Sequence, residues 1–251
     1  MSQLKDKVAI VTGGAGGIGT CIAMEYAKAG AVVVIASRTQ KNLDKVAENI
    51  RSSGGECLVV ASDVTDPAQV DNMIQQTVGR YGRLDIMVNN AGGALYMKPA
   101  EVLSFREWRE GIALNLDSVF LCSAAAGKEM IKRNGGKIIN ISSVAGIKTS
   151  PNFVHYGAAK AGVISLTKSL AESWGPHNIT VNCIAPGLTA TEGVKDWLPP
   201  DKKPDGTPVP VLQLPSGPEH VANLAVFLGS AAADRITGET IPLRSLVSFD
   251  R

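Results

Sequence analysis

The sequence predicts an α/β fold: a single domain built on a doubly wound parallel β-sheet, flanked by helices on both faces. Short apolar, β-branched runs alternate with stretches of helical periodicity along the whole chain, the pattern of a parallel sheet covered on both sides. The first such run ends in glycines and opens into a helix. No repeat, low-complexity tract or linker interrupts the 251 residues, of which 45% are hydrophobic and 19% charged. That length and composition suit one sizeable core.

In chain order, Val8 to Thr12 reads as a buried strand, followed by a helix from about Gly17 to Ala29 that Gly30 stops. Ala31 to Ala36 is the second β-branched run, and Leu43 to Ile50 carries the helical period. Cys57 to Ala61 is the third strand, and the helix after it, about Pro67 to Tyr81, places proline at a favoured first-turn position. Asp85 to Asn89 is the fourth strand, before one long helical region from about Trp108 to Lys132. Lys137 to Ile141 is the fifth strand, a helix through Tyr156 runs to about Trp174, and Thr180 to Ile184 is the sixth strand. A short helix over about Glu219 to Leu228 and a last strand near Glu239 to Leu243 close the series. Pro242 cannot donate to a ladder, so this strand is expected at an edge or to stop early.

Several function classes are disfavoured. The formal net charge is only +2, with lysine and arginine scattered, which is not the basic stripe of a nucleic-acid binder. Cys21, Cys57, Cys122 and Cys183 stand far apart with no CxxC, so buried reduced thiols are expected rather than disulfides. No His/Cys/Asp cluster has metal-ligand spacing. The start shows no cleavage-site pattern, and no apolar run approaches the roughly 20 residues of a membrane span. The reading is a cytoplasmic protein with a small-molecule ligand.

Two stretches carry chemistry. After the first strand, Gly13, Gly17 and Gly19 allow a tight turn and close backbone approach, and the helix from Gly17 offers its positive N-terminus to a pyrophosphate. Strand before and helix after are the context that makes a glycine motif a nucleotide site. Further on, Tyr156 and Lys160 lie four residues apart on one helix face. An ammonium near a phenol lowers its pKa from about 10 and makes it a usable general acid/base.

Thr12-Gly13, Gly17 and Gly19, Asn89-Asn90-Ala91-Gly92, Asn115, Ser143, Tyr156 with Lys160, and Pro186-Gly187 stand in the order and spacing of the classical short-chain dehydrogenases/reductases. The chain resembles that family from about Lys7 to the last strand. The resemblance implies a Rossmann fold and an NAD(P)-dependent oxidoreductase of alcohols and carbonyls, commonly a homotetramer or homodimer. It assigns Ser143, rather than Ser142, to hold the substrate carbonyl, Tyr156 to exchange the proton, and Lys160 to lower the Tyr156 pKa and hold the nicotinamide ribose. Asn115 would kink its helix and place a water that links Lys160 to solvent. For the cofactor it implies Gly13, Gly17, Ile18 and Gly19 at the phosphates, Asp63 and Val64 at the adenine, and Asn89 and Ala91, with Gly92, supporting the sheet edge and lining the ribose. Pro186, Gly187 and Thr191 would cradle the nicotinamide amide and phosphates. Asp63 has an alternative as a helix-capping acid before Pro67.

The end of the second strand decides between cofactors. An acid there would bind the ribose hydroxyls of NAD, but this chain has Ser37 and Arg38. A guanidinium with a hydroxyl suits a 2′-phosphate, so NADP(H) is preferred with NAD(H) as the alternative. Arg38 otherwise stacks on adenine or faces water. The substrate loop is placed at about 188–217, where Trp197 and Leu198 precede prolines 199, 200, 204, 208, 210 and 215. Leu95, Ile147, Trp197 and Leu198 suggest a hydrophobic substrate face, and Lys195, Lys202 and Lys203 could steer an anionic carrier. His155 lines the pocket, caps the helix region or is a bystander, and His177 and His220 read as surface residues. Small residues on the Tyr156 helix, Gly157, Ala158, Ala161 and Gly162 among them, suit a symmetric oligomer. The residues thus point to an NADP(H)-dependent ketoreductase of carbonyls or 3-oxoacyl thioesters. The alternatives are an NAD-dependent secondary-alcohol or hydroxysteroid dehydrogenase and a non-catalytic nucleotide-binding scaffold.

Overall fold

In a computed structural model describing residues 2–246, strands β1 (Val8–Thr12), β2 (Val32–Ser37), β3 (Cys57–Ala61), β4 (Ile86–Asn89), β5 (Gly136–Ile141), β6 (Ile179–Pro186) and β7 (Thr240–Leu243) form one sheet. Their order is β3-β2-β1-β4-β5-β6-β7, and every neighbouring pair is parallel. Parallel pairing needs crossovers, supplied by α1 (Gly17–Lys28), α2 (Gln40–Ser52), α3 (Pro67–Tyr81), α4 (Phe105–Ile112), α5 (Ser118–Lys132), α6 (Val154–Trp174) and α7 (Pro218–Gly229). This is the expected single-domain Rossmann-like fold.

Alternation along each strand explains the unbroken apolar runs. In β1, Ala9 and Val11 join a core under α1, α2 and α7 with Ile22, Leu43 and Val221. Val8 and Ile10 join a second core on the other face with Val70, Met73, Cys122 and Met130 of α3 and α5. Every second side chain thus serves one face, and both faces are dry. The buried Tyr26 hydroxyl donates to the Ala225 carbonyl at 2.8 Å, fixing α1 against α7.

Element ends differ from expectation for local reasons. The N-cap of α3 is Asp66, which accepts from Ala68 N at 2.9 Å and Gln69 N at 3.4 Å. Asp63 is not that cap: its Oδ1 accepts from Thr65 N and Thr65 Oγ1 and closes the preceding turn. The long helical region begins at Phe105, because Ser104 and Glu107 form a capping box. It is broken by a π turn over Ala113–Asp117, which centres the expected kink on Asn115.

Strand β7 pairs with β6 at the sheet's edge, as Pro242 required. The Glu239 and Leu243 carbonyls accept from Cys183 and Gly187, so Pro242, out of phase with both, turns its missing N–H outward. Between β6 and α7 the chain forms short 3-10 turns, Glu192–Trp197 and Val211–Gln213, and two isolated bridges, Thr189 with Ser216 and Lys202 with Pro208. The atypical tail from Val247 to Arg251 lies outside the described residues. Among the described residues no helix is long and apolar enough to cross a membrane, and no group of His, Cys, Asp or Glu could hold a metal ion. The four cysteines are free, three of them buried and Cys21 half-buried.

Candidate active site

The sheet order reverses between β1 and β4, the place where such sheets bind ligands. A cleft of about 410 Å³ opens there at the carboxyl ends of β1, β4, β5 and β6. Gly13, Gly17, Ile18, Ala91 and Gly92 line one side, and Ser143, Tyr156, Lys160, Pro186, Gly187 and Thr191 the other.

The glycines are used where the backbone demands them. Gly13 sits at φ +64 and Gly17 at φ +40, in the left-handed region that side chains disfavour. A Cβ on Gly19 would lie 2.2 Å from the Gly13 carbonyl oxygen, so only glycine lets α1 start against the turn. No side chain caps α1, which leaves its first-turn N–H groups for an anion. Beside them a Cβ on Gly16 would meet nothing. An open cradle at an uncapped helix start fits a dinucleotide pyrophosphate.

At the end of β4 the roles of two asparagines are exchanged. Asn89, expected along the ribose, is buried, and its Nδ2 donates to Ser123 Oγ and Asn140 Oδ1 on the α5 face. It supports the sheet but does not line the cleft. Asn90 does, with its Nδ2 donating to the Thr12 carbonyl at 3.0 Å. The Asn90 and Ala91 N–H groups both donate to Thr12 Oγ1, which joins β1 to β4 at the cleft. The available signal was alternation: the residue after a strand's last one faces the other way.

Ser37 is half-buried at the end of β2, and Arg38 beside it is exposed. Asp63 and Val64 follow the end of β3, where Val64 is buried. None of these four is among the lining of the cleft proper.

The polar floor is tightly bonded. Asn115 is 0% exposed. Its Nδ2 donates to the Gly93 and Gly111 carbonyls, and its Oδ1 accepts from Gly93 N at 2.9 Å. A Cβ on Gly92 would fall 2.7 Å from Asn115 Oδ1 and 3.1 Å from Lys160 Nζ, so Gly92 leaves room for both. Ser142 Oγ donates to the Lys160 carbonyl at 2.7 Å, tethering α6, while Ser143, thirteen residues before Tyr156, accepts from Ala145 N at 3.1 Å.

Lys160 differs from expectation. Its Nζ donates to the Ile141 carbonyl at 2.9 Å and stands 5.5 Å from the centroid of the Tyr156 ring. Burial lowers its ammonium to about 8, with the Cys183 thiol opposing. Tyr156 is not lowered by the lysine: burial raises its phenol, and the Ser143 hydroxyl pulls the other way. In this geometry the ammonium serves a carbonyl, and the phenol keeps its proton.

Comparison with known proteins identifies the family. Residues 7–202 match the short chain dehydrogenase family model. A 3-oxoacyl-[acyl-carrier-protein] reductase from Synechocystis sp. is 37% identical over 96% of this chain and 96% of its own. D-threitol dehydrogenase from Mycolicibacterium smegmatis is 38% identical over 94% of this chain and 90% of its own. A 7α-hydroxysteroid dehydrogenase structure, complexed with NADH and 7-oxo glycochenodeoxycholic acid, superposes with a TM-score of 0.87 at 30% identity, covering 97% of this chain and 95% of that one. The chain belongs to the short-chain dehydrogenase family and is an NAD(P)(H)-dependent oxidoreductase acting on carbonyl and alcohol groups.

Proposed function

We propose that the protein is an NADP(H)-dependent ketoreductase acting on carbonyls of the 3-oxoacyl-thioester class. The observation that carries the cofactor preference is the end of β2. No acid stands there, and Arg38, exposed beside the Ser37 hydroxyl, makes no side-chain hydrogen bond or ion pair among the described residues. A free guanidinium fork suits a 2′-phosphate.

The nicotinamide, when bound, supplies the hydride; the chain's own residues manage position and proton. Ser143 holds the carbonyl oxygen, and Tyr156 donates its proton to the developing alkoxide. Burial keeps that phenol protonated, which suits reduction, where the acid must arrive loaded. Lys160, lowered to about 8, can lose and regain a proton near neutral pH, and Asn115 fixes the backbone beside it. The segment 188–217 acts as the substrate loop: its Leu188, Thr189, Thr191 and Val194 line the cleft, and its Trp197 is exposed. An apolar mouth suits an acyl chain, and the cyanobacterial relative is named for such a substrate. The small-residue face of α6 supports a homotetramer or homodimer, which light scattering of the purified protein would test. The second reading, an NAD-linked secondary-alcohol or hydroxysteroid dehydrogenase, draws on the NADH-bound steroid enzyme and the threitol enzyme.

Fluorescence titration with NADPH and NADH side by side separates the two. NADPH is expected to bind more tightly, and Arg38→Asp to move the preference towards NADH by roughly tenfold or more. An unchanged ratio in the variant would remove Arg38 as the phosphate reader, and tighter NADH binding by the parent would put the dehydrogenase reading first.

A further inference from the structure

His155, one residue before Tyr156 on α6, has no part in the chemistry above, yet its surroundings are unusual. It is 0% exposed, and neither ring nitrogen has a hydrogen-bond partner. A buried polar ring without partners is destabilising, and an apolar side chain would fill the same space without that penalty. The ring sits in the notch left by Gly111 of α4, where a Cβ would lie 2.2 Å from His155 Cδ2. The Gly111 carbonyl accepts from Asn115 Nδ2 at 3.0 Å, and Asn115 clamps Gly93 from both its oxygen and its nitrogen. The backbone so held passes through Gly92, over Lys160.

We propose that His155 is a positioning residue: its uncharged ring, wedged against Gly111, sets the height of the π turn and so the place of Asn115 beside Lys160. The proposal rests on the catalytic reading of Asn115 and Lys160 given above. Its charge state matters because neither ring nitrogen has a hydrogen-bond partner, and a charged ring would carry two N–H donors. From α4, Glu107 already accepts from Lys98 and Ser104, and Glu110 from Arg106 and the Tyr96 hydroxyl. From the segment after β4, the Tyr96 ring lies 5.8 Å from the imidazole, with Lys98 near its face. On α6 itself the neighbour is the Tyr156 phenol. Burial lowers the His155 pKa, with the Glu107 carboxylate opposing. A proton added there would push the ring out of the notch and release Gly111.

The test needs no knowledge of the natural substrate. In the intact protein, imidazole NMR should find the His155 ring titrating below the ordinary histidine range. Hydrogen exchange at Gly93 N–H should quicken once His155 titrates. In His155→Ala that exchange should quicken at neutral pH, while His155→Leu, which fills the notch without titrating, should abolish the acid-side change. With ethyl acetoacetate as probe ketone, kcat should fall roughly ten- to hundredfold in His155→Ala, and the acid limb of the rate should vanish in His155→Leu. Gly93 exchange that ignores both the titration and the substitutions would overturn the proposal, and the wild-type titration alone decides it should a variant fail to fold. If Tyr156→Phe keeps its activity, the catalytic reading fails instead, and the Gly93 result stands apart from it.

Discussion

The floor and the roof of the cleft are built on opposite terms. On the floor, Asn115 and Lys160 are 0% and 3% exposed, and each polar atom described above has a backbone partner. On the roof, over 188–217, Trp197 and Val211 are 59% and 80% exposed, and regular structure is limited to short turns and two isolated bridges. Buried polar groups must be satisfied, which locks their positions to tenths of an ångström. Exposed apolar groups on a proline-stiffened segment carry no such obligation, so their identity can change without disturbing the fold. On the proposed reading, the chemistry is set by the floor, and the choice of substrate is left to the roof.

Substitutions can break that contrast or sharpen it. The largest effect belongs to Tyr156→Phe, which should lower kcat by roughly 10²- to 10⁴-fold with cofactor binding unchanged in the same fluorescence titration. A variant that still turned over would remove Tyr156 as the acid. Next is Gly92→Ala. The added methyl meets Asn115 Oδ1 at 2.7 Å and Lys160 Nζ at 3.1 Å, so stability should fall by about 1–3 kcal/mol and kcat with it, read by urea unfolding and initial rates. A neutral result would mean that the floor is not locked. The smallest is Trp197→Ala, expected to raise KM by no more than roughly tenfold with kcat kept, as loss of uniform substrate binding would. Assays with 3-oxoacyl thioesters of increasing length check this. A KM that ignores both the substitution and the chain length would show that Trp197 does not cover the substrate.

Much of this arrangement was legible in the sequence, for identifiable reasons. The glycines at 13, 17 and 19 were readable because side chains disfavour the positive φ of the first two, and a Cβ on the third would meet the Gly13 carbonyl. The two-faced strands were readable because burial on both sides leaves no polar alternation. What escaped depended on one-residue geometry. Asn89 and Asn90 are chemically identical, and only the pleat decides which one reaches the cleft. Asp63 and Asp66 both precede Pro67, but only Asp66 stands in register with the first-turn N–H groups of α3. The spacing of Tyr156 and Lys160 put both on one face of α6, yet it could not reveal that the Ile141 carbonyl holds the ammonium. His155 stood out only by its place next to Tyr156, and its notch could not be read because it is made by Gly111, far away in the chain.

The outward-facing nitrogen of Pro242 has a consequence for the protein in a crowded solution. An open sheet ends in strands whose outer groups can template a neighbour, and long sheets of this kind grow into fibres when nothing interrupts them. On β7 an arriving strand would find a ring carbon where a donor should be. The margin is blunted by one atom's absence, and the molecule is guarded there against sheet-to-sheet polymerisation.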